Sequence, residues 1–338
     1  MNLPIRRLKG FLKSNLTVQY VYRKWCQPFL FHSGDTDELL LPRLAIRTAV
    51  DVGANAGTYA LALAPVSRRL VCFEPVPFMN RLLHRLLGRA SHVLIDGQAI
   101  SDRNGVATLS VPVSDGAQDT ALATLRPITS TSTRIEVRTI RLDDFWRSHE
   151  EIDPATIDFI KIDVEGVEAR VISGMPQTIA AAYPVLLIEI ELRHNPFSRA
   201  IFADLDARGY RAYVSRIGGE LDPFSIETDD HLRAIQKAED LARETFNYLV
   251  GDTRRYLNNF WFIHPRSHLA AQLEPFIRPR DRARYRQPEP TGTDGSSRLN
   301  RPPSRQSRRW CRAGCRRTLP ASPFPPPASP PSPCRRCS

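Results

Sequence analysis

The chain has 338 residues, a formal charge of +11 and six cysteines, a size that holds one large α/β domain with additions or two small ones. Only Cys26 and Cys72 lie ahead of residue 278, which excludes a disulfide framework and points to a reducing cytoplasm. The charge is uneven: residues 278–338 carry 15 Arg, no Lys and 3 acids, leaving residues 1–277 with 32 bases against 33 acids and no need of an acidic partner.

The start, MNLPIRRLKGFLKSNL, is basic but lacks a continuous apolar core and a small-residue cleavage site, so it reads as a poor signal peptide. No run of about 18 apolar residues occurs, so no transmembrane span is expected. Across residues 1–44 the apolar positions Leu8, Phe11, Leu12 and Leu16 are spaced by three and four. That spacing predicts a helical cap segment, packed on the flank of the main fold or touching a membrane surface.

Next comes AVDVGANAG, Ala49 to Gly57: a short apolar strand, an acid, and two glycines four apart. A helix over Thr58 to Leu63 follows. Such a strand–turn–helix puts backbone close to a ligand, and Gly53 and Gly57 permit the approach. A dinucleotide site would have G-x-G-x-x-G, and Asn55 stands where its middle glycine belongs. RLVCFE, Arg69 to Glu74, is a second buried strand ending in an acid able to accept the two hydroxyls of an adenosine ribose. Pro77 to Leu87 is a helix with proline in its first turn, and His92 to Ile100 a third strand, beyond which Ser101 or Asp102 would approach an adenine or form a plain turn before Gly105. Gly105–Val113 and Arg134–Leu142 alternate at period two and predict antiparallel or edge strands. The Thr/Ser-rich segment between them predicts a mobile connection.

IDFIKID, Ile157 to Asp163, is a fourth core strand, followed by VEGVEARVISG, a helix closed by Gly174. If the strand runs on through Val164, Lys161, Asp163 and Glu165 share a face. VLLIEIE, Val185 to Glu191, is the fifth strand, with His194 just beyond it. A helix over Phe197–Arg208, a strand over Tyr210–Ser215, a helix over Asp229–Val250 and a last strand over Asn259–His264 complete the body.

These stretches in order resemble the FkbM family of methyltransferases: VDVGANAG, the CFEP strand, the turn Ser101–Gly105, IRLDDF, the K-x-D-x-E-G strand end at Lys161–Gly166, and LLIEIE. The resemblance runs from about Ile46 to His264. It implies an α/β, class I methyltransferase-like (Rossmann-like) fold, with a mainly parallel sheet and helices on both faces. It also implies S-adenosyl-L-methionine as cofactor, and O-methylation of a hydroxyl on a saccharide, glycolipid or related metabolite. Cofactor contacts are expected from Asp51, Gly53, Asn55, Gly57, Glu74, Ser101 and Asp163. Asp163, Glu165 and His194 are the candidate catalytic residues, with Glu189 and Glu191 as alternatives, and no metal is expected. The rivals are a nicotinamide-dependent oxidoreductase and a nucleic-acid-binding protein acting through its basic tail.

Three segments result: a cap (1–44), a methyltransferase domain (45–277) and a Pro/Arg-rich tail (278–338). The tail holds 13 of the 28 prolines, and its composition predicts disorder. Its pairs Cys311/Cys315 and Cys334/Cys337 lack the apolar surroundings of a structural zinc site. No nucleic-acid partner is expected, since the arginines have few interleaved aromatics.

Overall fold

Both parities of the central strands are apolar, so the sheet must be covered on both faces. Val50, Val52, Val71, Phe73, Ile160 and Ile162 pack into one core, whereas Ala49, Leu70, Cys72 and Phe159 pack into the other. The computed structural model describes residues 37, 40–114, 117–118, 120–127, 131–195, 198–216, 219–226, 228–236 and 257–278, all within the unit Met1–Pro288.

Chain order gives β1 (Ile46–Val52), α1 (Thr58–Leu63), β2 (Ser67–Phe73), α2 (Pro77–Leu87) and β3 (Val93–Asp96). There follow β4 (Ala99–Ile100), β5 (Gly105–Ser114), β6 (Ala117–Gln118), β7 (Ser132–Ile140) and α3 (Leu142–Arg147). Then come β8 (Ile157–Ile162), α4 (Glu168–Ser173), α5 (Pro176–Ala182), β9 (Val185–Glu189) and α6 (Ser198–Ala207). The last are β10 (Arg211–Ser215), β11 (Leu221–Phe224), α7 (Asp229–Ile235), β12 (Asn259–Ile263) and α8 (Ala270–Leu273).

The main sheet has the order β11-β10-β12-β9-β8-β1-β2-β3. Strands β3, β2, β1, β8 and β9 pair in parallel, and β12 enters antiparallel between β9 and β10. Helices cover both faces: Tyr59, Ala60 and Leu63 of α1 join one core, while α3 to α6 supply Phe145, Val171, Ile179 and Phe202 to the other. This is the class I methyltransferase-like sheet. Successive connections leave β1 in opposite directions, to β2 and later to β8, which opens a crevice at the carboxyl ends of the strands.

A second, smaller sheet, β4-β7-β5-β6, is built on the antiparallel pair β5–β7, with Gly105 opposite Thr139. It corrects the expected third strand. That strand ends at Asp96, and Ala99–Ile100 pairs instead with β7. The break is held by the Asp96 side chain, which accepts from the Gln98 amide at 2.7 Å.

The fourth strand is also shorter than expected. β8 stops at Ile162, and Glu165 and Gly166 turn the chain with positive φ of 52° and 94°. The following helix therefore begins at Glu168. Before β1 the described residues show a 3-10 turn, Leu41–Arg43. The expected helices of residues 1–36, the rest of the 229–250 helix and the tail beyond Arg278 lie outside the described residues.

Candidate active site

The strand ends β1, β2, β8 and β9 open onto a cavity of about 1050 Å³, its open mouth included. Its apolar side is Phe73, Val76 and Ile100 with Leu109, Leu122 and Leu125 from the second sheet and its connection. Its polar side carries Asn55, Glu74, Asp163, Glu165, Glu189, Glu191, Arg193 and Asn258.

The turn after β1 is pinned from both sides. The amides of Gly53 and Ala54 both donate to the Phe73 carbonyl at 3.0 Å, and the Asp163 amide donates to the Val52 carbonyl at 2.9 Å. Gly53 has φ of +82°, and a Cβ there would sit 1.8 Å from the Asp163 carbonyl oxygen. Glycine is thus required by the neighbouring strand end, a closer constraint than the ligand approach read from sequence.

Glu74, 4 % exposed, clamps the same turn. Its Oε2 accepts from the Asn55 amide and its Oε1 from the Val76 amide, both at 2.7 Å. Burial raises its carboxyl to about 7, against the opposing pull of those two amides. Asn55 has φ of 46°, and its Oδ1 is buried without a hydrogen-bond partner. It lines the cavity, where a ligand hydroxyl or ammonium would satisfy that atom.

Four sequence-nominated residues do not line the cavity. Asp51, 1 % exposed, shares the parity of Ala49 and lies opposite Lys161 in the β1–β8 register. Burial raises its carboxyl to about 7 while Lys161 pulls it down. Gly57 caps α1. The Ser101 hydroxyl donates to Asp102 Oδ1 at 3.0 Å, and its carbonyl lies where a Cβ on Gly174 would meet it at 2.1 Å. His194 stands behind the wall, its Nε2 being 3.4 Å from Glu165 Oε2 and 3.2 Å from Glu191 Oε2.

Three carboxyl groups converge inside. Those of Asp163, Glu165 and Glu189 offer oxygens all within 4.8 Å of one another. Burial first, then Asp163 and Glu191, raises Glu165 to about 9. Burial and Asp163 likewise raise Glu189. Lys161, fully buried, lies beneath them, with Nζ 2.9 Å from Asn259 Oδ1, 3.9 Å from Asp163 Oδ2 and 4.7 Å from the Tyr59 ring centre. Glu191 behaves oppositely. Burial raises it, but hydrogen bonds from His194 and Arg193 outweigh that and hold it at about 2.

The set Glu165, Glu191 and His194 is equally close-knit. Both sets have donor atoms that a divalent cation can use, and Lys161, Arg193 and His194 already supply positive or protonatable partners among them.

Sequence reasoning missed what holds these acids. Glu168, 2 % exposed, accepts from the Gly166 amide at 2.6 Å and from Asn195 Nδ2 at 3.0 Å. A Cβ on Gly166 would meet the His194 carbonyl at 2.5 Å, so the two loops touch backbone to backbone. The Thr124 hydroxyl donates to the Glu165 carbonyl at 2.7 Å. Asn258 Nδ2 donates to Glu189 Oε1 at 2.8 Å. Only Glu168 carried a sequence signal, as the acid two residues beyond the K-x-D-x-E-G strand end.

Residues 51–212 match the family model described as the methyltransferase FkbM domain. The chain is 33 % identical over 144 residues to the 2-O-methyltransferase NoeI of Sinorhizobium fredii, covering 38 % of this chain and 58 % of that protein. It is 27 % identical over 222 residues to the AMB antimetabolite synthetase AmbE of Pseudomonas aeruginosa, covering 56 % of this chain and 10 % of that one. The chain therefore spans less than two thirds of either relative. Among solved structures, methyltransferase FkbM from Methylobacillus flagellatus KT is 18 % identical with a TM-score of 0.36, over 63 % of this chain and 50 % of that one. The O-methyltransferase from Bacillus cereus, in complex with SAH, is 15 % identical with a TM-score of 0.34, over 62 % and 86 %. The fold is carried by the strand order given above rather than by these scores. Residues 51–212 are thus similar to the methyltransferase FkbM domain.

Proposed function

We propose that the chain is an S-adenosylmethionine-dependent methyltransferase acting on a hydroxyl of a saccharide, glycolipid or related metabolite. The observation that carries this reading is one cavity with two chemically distinct ends. Glu74 and the open Asn55 Oδ1 stand at the β1–β2 end. At the β8–β9 end Asp163, Glu165, Glu189 and Asn258 face the same space.

When bound, S-adenosylmethionine supplies a methyl group on a cationic sulfur. Glu74 would hold the ribose hydroxyls, since each of its oxygens takes one amide and retains a second acceptor direction. Asn55 Oδ1 would take a further donor, and the apolar side would cover the adenine. At the other end Glu165 would exchange a proton with an acceptor hydroxyl. His194, in contact with Glu165 but behind the wall, would act through it. The supply of hydrogen-bond acceptors from Glu189, Glu191 and Asn258 suits a polyhydroxylated acceptor, and the name of the relative NoeI supports a hydroxyl.

Parallel calorimetric titrations with S-adenosylhomocysteine, NAD and duplex DNA test the reading. S-adenosylhomocysteine alone should bind; binding of NAD in its place would move the chain to the oxidoreductases. Methyl transfer from labelled donor to a panel of glycans then tests the acceptor.

A further inference from the structure

Part of the β8–β9 end of the cavity is built by chain beyond residue 212, where the family match stops. Strand β9 pairs with β12 as far as Glu189, opposite Asn259, and the Ile190 amide still donates to the Asn258 carbonyl at 2.7 Å. Past that point the chain leaves the sheet. Gln236, directly after α7, takes over its main-chain groups. Gln236 Oε1 accepts from the Leu192 amide at 2.8 Å, and its Nε2 donates to the Ile190 carbonyl at 2.7 Å and to the Leu257 carbonyl at 2.8 Å. One side-chain amide thus stands in for a stretch of sheet, with its acceptor and both donors in use. The segment it holds carries Glu189, Glu191 and Arg193 into the cavity wall.

Asn258 acts on the side chains of that segment. Its Nδ2 donates to Glu189 Oε1 at 2.8 Å and to Glu191 Oε1 at 3.3 Å. Both partners are carboxyl oxygens, which turns the NH2 end of the amide toward them and uses both of its hydrogens. Oδ1 is left over. Asn258 is half-buried and borders the cavity, and among the described residues nothing donates to Oδ1. An amide held by its nitrogen and open at its oxygen is a fixed hydrogen-bond acceptor. Glu189 in turn stands beside Glu165, the acid that the methylated hydroxyl would meet. We infer that Asn258 determines acceptor specificity: its Oδ1 receives a second hydroxyl, next to the one that is methylated. Gln236 is the positioning residue that fixes Asn258 and the Glu189–Glu191 segment relative to each other. The substrate class is then a molecule with at least two neighbouring hydroxyls, not an isolated alcohol. This rests on the hydroxyl-methylation reading above.

The test is methyl transfer from S-adenosylmethionine to methyl hexopyranosides and to their monodeoxy analogues, each lacking one hydroxyl. On the unaltered protein, deleting one hydroxyl next to the methylated one should lower kcat/KM roughly tenfold, chiefly through KM. Asn258→Ala should lower kcat/KM for the parent sugar by a similar factor and be indifferent to that same deletion, the sign of two groups that bond each other. Gln236→Ala should shrink the deletion penalty as well, whereas a merely structural brace would slow all the sugars alike. Affinity for S-adenosylhomocysteine, measured on each variant, reports an intact domain. Asn258→Ser, which keeps one donor for Glu189, takes the place of Asn258→Ala if the latter does not bind it. An undiminished penalty in the Asn258 variants, or no neighbouring hydroxyl whose deletion matters, would overturn the inference and leave hydroxyl methylation standing. Transfer to no sugar by a protein that binds S-adenosylhomocysteine would overturn the saccharide reading and the inference with it.

Discussion

Asn195 Nδ2 donates to Glu168 Oε2 at 3.0 Å, while the other oxygen of Glu168 takes the Gly166 amide. One buried carboxylate thereby ties the loop after β8 to the loop after β9, and these loops bring Glu165 and His194 together. Two hydrogen bonds to a buried charge are worth about 1.5–3 kcal/mol each. Glu168→Ala should therefore lower the melting temperature by several degrees and abolish turnover of the folded remainder. Asn195→Asp, which sets two carboxylates together, should be as damaging, and adding Glu168→Gln should restore part of the loss. An unchanged melt for Glu168→Ala would show that the loops hold without this clasp.

Glu74 has a double duty that its motif did not disclose. Its carboxylate clamps the Asn55 turn as well as facing the cavity. Glu74→Ala should cut affinity for S-adenosylhomocysteine at least tenfold and also destabilise the domain by about 3 kcal/mol, from two lost charge-assisted bonds. Calorimetry and thermal melts on one preparation separate the two effects. Unchanged affinity would remove Glu74 from the donor site.

The pH dependence of stability has a defined sign. Acids held above their unfolded values include Glu165, near 9, and Glu74 and Asp51, near 7. They contribute stability that is full below the ordinary carboxylate range and lost as pH rises through the raised values. Glu191, held at about 2, contributes stability present above the ordinary carboxylate range and lost as pH falls toward 2. The free protein should thus melt highest near pH 5 and progressively lower to pH 9. Glu165→Gln should flatten the upper part of that slope. A melting temperature that climbs from pH 6 to 9 would contradict these assignments.

Asp163 lies 3.9 Å from Lys161 Nζ, whereas Asn259 is bonded to it at 2.9 Å. Replacing the acid should therefore not release the lysine. Asp163→Asn should keep the fold, within about 1 kcal/mol on a chemical melt, yet reduce methyl transfer by at least tenfold. Lost stability with normal turnover would reduce Asp163 to a structural partner of Lys161 and shift the chemistry toward Glu189 and Glu191.

Arg278 fastens the end of the described domain. Its amide donates to the Leu221 carbonyl at 3.2 Å, and its guanidinium lies 3.3 Å from Asp222 and 3.8 Å from Glu220. Deleting 279–338 should leave the melting temperature and donor affinity unchanged, whereas a cut before Arg278 should lower stability slightly. Loss of donor binding when only 279–338 is removed would give the tail a role that its composition does not suggest.

Much of the fold was legible because apolar periodicity reports burial directly. The helices Thr58–Leu63 and Pro77–Leu87 fall as read, as do the cores of β1, β2, β8 and β9. Gly53, Asn55, Glu74, Asp163 and Glu165 line the cavity as expected because strand ends of a parallel sheet border its crevice. Asp51 does not line the cavity, because not every strand-end acid faces the crevice. Its parity, shared with Ala49, already placed it on the face where Lys161 and Tyr59 lie. The short α5 and β11 had little signal, since seven and four residues hold too little periodicity. Thr124 and Asn258 were invisible for another reason: their partners lie 41 and 69 residues away, and only the folded chain brings them together.

The bond from the Thr124 hydroxyl to the Glu165 carbonyl joins the connection within the second sheet to the strained turn of the main one. That connection supplies Leu122, Ala123 and Leu125 to the cavity while lying outside the parallel strands. A surface connection is the part of a wall most open to sequence change, and here the Thr124 side chain moors it to the backbone of Glu165. Side chains along that connection can therefore change without moving the turn after β8, so long as a hydroxyl remains at position 124.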